Sequence, residues 1–119
     1  MRTAISLLGF SALSVSAADL QVTAPISPTD VREIRKIVTS VTKAPVVSIE
    51  GDRTKRRVPG ASARNVYFTA DGRPVWTYER ADLVWAATEL TPQAWMMYKL
   101  RKSARGWKIL EKRYAEDRP

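Results

Sequence analysis

Ile26-Ser-Pro-Thr-Asp-Val-Arg-Glu-Ile-Arg-Lys-Ile-Val-Thr-Ser-Val-Thr42 is the stretch written in a helical period, and its contrast with the chain beyond Pro45 decides the fold class. Ser27 stands where an N-cap side chain accepts from first-turn amides. Pro28 takes the first helical position, where a missing N–H costs nothing. Asp30, three residues after Ser27, approximates a capping box and sets negative charge at the positive helix end. Ile26 and Val31 have the spacing of a hydrophobic staple. Val31, Ile34, Ile37, Val38 and Val41 recur at three- and four-residue intervals, with Arg32, Glu33, Arg35 and Lys36 on the other side. Pro45 disfavours helix just before it, so the pattern predicts one amphipathic helix of about four turns ending near Thr42.

Beyond Pro45 the chain reads as strand and turn. Val46–Glu50 is a first strand, turned by Glu50-Gly51-Asp52, and Arg53–Val58 a frayed strand before Pro59-Gly60. Asn65–Thr69 meets Ala70-Asp71-Gly72-Arg73, a strong hairpin signal. Val75–Trp85 is a long strand and Ala86–Pro92 the next connection. Trp95–Lys102, the turn Ser103–Gly106 and Trp107–Tyr114 close the chain, with Gly106 set for the left-handed residue of a bulged hairpin. The expected architecture is α+β: one N-terminal amphipathic helix packed across a curled antiparallel sheet of four to five strands. Residues 26–114 form a single domain, 19–25 a leader and 115–119 a polar tail.

Upstream, residues 1–18 read as a secretory signal peptide. Arg2 gives a positive start, Ala4–Leu13 an apolar stretch too short to span a bilayer, and Val15-Ser16-Ala17 a small-residue exit. Cleavage after Ala17 or Ala18 would leave 102 or 101 of the 119 residues, and losing Arg2 lowers the net charge from +8 to +7. The chain has no cysteine, which excludes a lipoprotein anchor, disulfides and thiol chemistry. It also has no histidine, so histidine-based triads and histidine-ligated zinc are excluded, and no metal or cofactor is expected. Export of a cysteine-free domain fits a bacterial periplasm or secretion. A protein this basic is drawn to anionic partners, here an anionic envelope component or an acidic protein, with nucleic acid a weaker expectation outside the cytoplasm.

The closing pattern Tyr98-Lys-Leu-Arg-Lys-Ser-Ala-Arg-Gly-Trp-Lys-Ile-Leu-Glu-Lys112 resembles the last hairpin of small cystatin-like and nuclear transport factor two-like domains. The opening helix, Pro45 and the Val-Val-Ser-Ile strand are similar to small exported members of that group. The resemblance implies a short cystatin-like form over residues 26–114, a fold that hosts enzymes, inhibitors and plain binding modules alike. It does not bring protease inhibition with it. Residues 53–64 lack the Gln-Val-Val-Ala-Gly-like wedge, and Gln21-Val22 lies before the helix.

Three groups of residues are candidates for function. Arg53, Lys55, Arg56 and Arg57 form the densest charge, either a docking patch for phosphate or sulfate or a solvated edge that discourages strand pairing. Arg101, Lys102 and Arg105 on the closing hairpin would extend that patch if the two segments are neighbours. Among the rings Tyr67, Phe68, Trp76, Tyr78, Trp85, Trp95, Tyr98 and Trp107, most are expected to fill the core. Alternation along the long strand puts Trp76, Tyr78, Arg80 and Asp82 on one face, which allows a concave pocket walled by Trp76 and Tyr78 with Arg80 and Asp82 as polar groups; Trp85, on the other face, is a further pocket candidate. An enzyme built there would use Asp82 as base and Tyr78 or Arg80 to stabilise negative charge. Arg80 and Asp82 are equally spaced to pair with each other, so a catalytic site is not favoured. The sequence favours a non-catalytic exported binding module with a basic surface, over a small-ligand-binding protein or minor enzyme.

Overall fold

A computed structural model describes residues 20–117; the signal-peptide reading of residues 1–18 lies outside the described residues. The helix, α1, runs Pro28–Thr39 with Ser27 as N-cap and a complete capping box: Asp30 N–H donates to Ser27 Oγ and Ser27 N–H to Asp30 Oδ2. It stops three residues short of the expected end, where Ser40 caps it, although Thr42 N–H still bonds Val38 O. Ile34 and Val38 are fully buried, and Ile26, Val31 and Ile37 pack around them. Each of the two buried side chains stabilises by about 1.5–3 kcal/mol relative to exposure.

The sheet corrects the expected architecture. The described residues are 58% strand and 12% helix, with six strands in a mixed sheet, not four or five antiparallel ones. The strands are β1 (Gln21–Val22), β2 (Val46–Thr54), β3 (Ser62–Phe68), β4 (Pro74–Thr91), β5 (Ala94–Ser103) and β6 (Gly106–Glu116). β1 runs parallel to β2, with Gln21 opposite Ser48, and comes from the segment expected to be a leader. The remaining pairings are antiparallel, in the order β1-β2-β4-β5-β6 with β3 also on β4.

β4 organises everything else. β2 lies along one edge of it, while β3 pairs Pro74–Glu79 and β5 pairs Leu83–Thr91 on the other. Ala86–Thr91 therefore belongs to this strand, and the chain reverses at Pro92-Gln93. Ala86 and Ala87 carry little intrinsic strand preference, but partners on both edges impose it.

Gly51 does not turn the chain either, because β2 continues through it. Between Gly51–Val84 and Arg53–Glu79 the four residues Arg80–Leu83 of β4 stand against Asp52 alone, a large bulge that bends the strand. The bend carries the β4 backbone over Gly51. A Cβ there would overlap the Arg80 carbonyl oxygen and sit 2.5 Å from Glu79 Cγ. Glu79 is 2% exposed, accepts from Thr23 Oγ1 at 3.1 Å, and has Arg53 Nε 3.7 Å away.

The core lies between α1 and one sheet face, built from Ile34, Val38, Ile49, Val84, Tyr98, Leu100 and Trp107. Polar groups lock the helix onto the last hairpin. Trp107 Nε1–H donates to Asp30 Oδ1 at 3.0 Å, Lys102 Nζ lies 2.9 Å from the same oxygen, and Trp107 N–H donates to Glu33 Oε2 at 3.1 Å. Burial alone would raise the Asp30 carboxyl, but hydrogen bonds from Trp107, Lys102 and Ser27 outweigh it and hold the pKa at about 2. Gly106 opens the space for this joint: its φ is +103°, and a side chain there would run into the Glu33 carboxylate.

Candidate functional site

Beyond the β4 bend, β3 and Pro74–Glu79 form an arm that Arg53 and Thr54 of β2 join at its base: all seven residues of β3 are exposed, whereas Glu79 at the base is buried. Thr69 and Arg73 close its tip, with Thr69 N–H on Arg73 O and Arg73 N–H on Thr69 Oγ1. Asp71 beside them is held below the usual carboxylate range by its bonds from Thr69 and Arg73.

Cross-strand partners share a face, and the register gives the arm two unlike sides. Ala63 opposite Tyr78, Val66 opposite Trp76 and Phe68 opposite Pro74 make an apolar, largely aromatic side. Ser62, Asn65, Tyr67, Val75, Thr77 and Glu79 make the other, and the register shift at Arg64 keeps the two in phase. Phe68 is 67% exposed and Trp76 48%. This corrects the expectation that most rings fill the core: among the described residues only Tyr98 and Trp107 are buried aromatics. Alternation tells which side a ring takes, not whether anything covers that side.

The basic run flanks this arm. Arg57 lines a groove of about 320 Å³ with Ala61, Ala63, Trp76 and Tyr78. Lys55 Nζ stands 5.9 Å from the Tyr67 ring centre, a cation–π distance, and Arg56 is exposed beside it. Arg53 turns to Glu79. The closing-hairpin cations go elsewhere: Lys102 to Asp30, Arg101 to an exposed position opposite Leu83, and Arg105 into the β5–β6 turn.

The pocket expected from Trp76, Tyr78, Arg80 and Asp82 divides. Trp76 and Tyr78 line the Arg57 groove, whereas Arg80 and Asp82 hold each other through two bonds of 2.9 Å. The hydrogen bond from Arg80 keeps the Asp82 carboxyl below its usual range and raises the Arg80 guanidinium in turn. A carboxylate so held is a weak base, which argues against the catalytic role considered for it.

Trp85 belongs to a third place, on the sheet face away from α1. Its Nε1–H donates to Asp52 at 3.2 Å, while Lys99 and Arg113 stand 5.4 and 5.0 Å from its ring centre. Glu50 and Met97 complete a groove of about 430 Å³. Sequence reasoning names Trp85 but does not group these companions with it, because they come from three other strands. Among the described residues no group of three or more carboxylates is placed to hold a metal ion, and no helix is long and apolar enough to cross a membrane. No family model matches the chain, and neither curated proteins nor solved structures give a match.

Proposed function

We propose that the protein is an exported, non-catalytic binding module that docks on an anionic envelope surface through the β3–β4 arm and the cations around it. The observation that carries this reading is the uncovered arm itself: seven exposed β3 residues, exposed Phe68 and Trp76, and Lys55, Arg56 and Arg57 at its base. A monomeric domain gains nothing by keeping such rings in water, whereas a docking surface needs them there. The +7 left once Arg2 is removed supplies the attraction. The small-ligand reading is weaker, since Arg80 and Asp82 satisfy each other.

Retention on an immobilised soluble polyanion, such as heparin, tests the proposal. Binding falls steeply with added salt, and the triple variant Lys55→Glu, Arg56→Glu, Arg57→Glu weakens it further. Retention that ignores salt, or that survives the triple reversal, overturns it. N-terminal sequencing of the exported protein checks cleavage after Ala17 or Ala18.

A further inference from the structure

We infer that the apolar side of the β3–β4 arm docks into the interfacial zone of an anionic lipid bilayer, with Phe68 and Trp76 at the acyl boundary and the neighbouring cations on headgroup phosphates. This inference rests on the docking reading above and names its partner. The arm is the strand counterpart of an interfacial amphipathic helix: one side Ala63, Val66, Phe68, Pro74, Trp76 and Tyr78, the other mostly polar. Trp and Tyr are the rings that favour a membrane–water boundary, since each joins an apolar body to a polar tip.

Size argues against a second protein as the occupant. A ribbon of two strands and six or seven residues is roughly 20 Å long and 10 Å wide, on the order of 200 Å² per side. A stable interface buries about 800 Å² on each partner. A bilayer needs no such matched surface, because it supplies apolar burial and phosphates together. Charge fits as well. Lys55, Arg56, Arg57, Arg64 and Arg73 lie along or beside the arm against two acids, Asp71, which is bonded by Thr69 and Arg73, and Glu79, which is buried at the base with Arg53 beside it. Each cation near an anionic surface adds about fivefold to affinity.

The backbone limits the depth of docking. β3 pairs with β4 on one edge, and its outer edge has no strand partner among the described residues. Those N–H and C=O groups would be orphaned in hydrocarbon, so the arm stops among headgroups and ordered water instead of crossing.

The experiment uses vesicles of phosphatidylcholine, alone and mixed with phosphatidylglycerol, beside the heparin retention above. The wild-type protein binds the mixed vesicles, and lipids brominated on the acyl chains quench its tryptophan fluorescence. Trp76→Phe removes most of that quenching, although Trp85, Trp95 and Trp107 remain. The double variant Phe68→Ser, Trp76→Ser, altering side chains that are already exposed, keeps its thermal midpoint and loses about tenfold in vesicle affinity with little change on heparin. Absent quenching in the wild type, vesicle binding indifferent to both rings, or a dimer that dissociates in the double variant overturns the bilayer assignment. Heparin retention without vesicle binding sinks this inference alone. Failure on both surfaces sinks the docking reading with it.

Discussion

Replacing Asp30 by Asn removes one charge from the joint between α1 and the last hairpin, and the structure sets the size of the effect. The folded carboxyl titrates at about 2 against an ordinary 3.8. A depressed carboxyl contributes stability that is fully present above the unfolded value and is lost as pH falls through the folded one. The shift corresponds to about 2.4 kcal/mol, present above about pH 5 and gone near pH 2. Asn keeps the shape and can still accept from Trp107, but like the protonated acid it offers Lys102 no charge. At neutral pH Asp30→Asn therefore lowers stability by about 2 kcal/mol, a fall in Tm of roughly 10–20 °C for a domain this size. Lys102 is about half exposed, so added salt trims part of the difference. Urea denaturation of both proteins from pH 7 to pH 2 is the assay. The two stabilities converge as pH falls, and taking their difference cancels the carboxyls common to both, Asp71 and Asp82 among them. Curves that stay parallel, or a neutral-pH loss under about 0.5 kcal/mol, would refute the joint as described.

Two further substitutions probe the rest of the frame. Gly51→Ala places a methyl group into the Arg80 backbone, which cannot rotate away as a flexible side chain could, and costs at least ~2 kcal/mol in denaturant titration. An unchanged midpoint would show that β4 does not cross there. Asp82→Asn breaks a half-exposed pair with Arg80, changes stability by less than about 1 kcal/mol, and leaves heparin retention intact. A loss of several kcal/mol would mean that the bend depends on that pair.

The helix start is legible because its signals are local: Ser27, Pro28 and Asp30 act within one turn. The same holds for the tips at Gly72 and Gly106, both with positive φ. Gly51 misleads because the sequence presents a glycine at a turn and a glycine under a crossing strand identically. The crossing is made by Arg80, twenty-nine residues later. β1 escapes because two residues carry no period, and its partner Ser48 lies across the whole helix. Ala86–Thr91 looks like a connection because its strand character is imposed by β2 and β5. At the candidate site, the even positions of Trp76 and Tyr78 correctly predict a shared side. The covering element assumed for them does not exist among the described residues, and periodicity carries no record of that.

The joint at Asp30 and Trp107 also sets an order of events. α1 is the first sizeable element among the described residues, yet the polar groups that fasten it, Lys102 and Trp107, are more than seventy residues downstream. Twelve residues are too few to hold a helix in water unaided, so α1 relies on the sheet it packs against, and its polar fastening is complete only with the closing hairpin. A nascent chain that stops before Gly106 lacks the residue that receives its helix, however complete its earlier strands. Folding is therefore a late, whole-chain event governed by distant contacts, and slower than the small size suggests. Truncations from the C-terminal side will unfold the beginning of the protein as readily as its end.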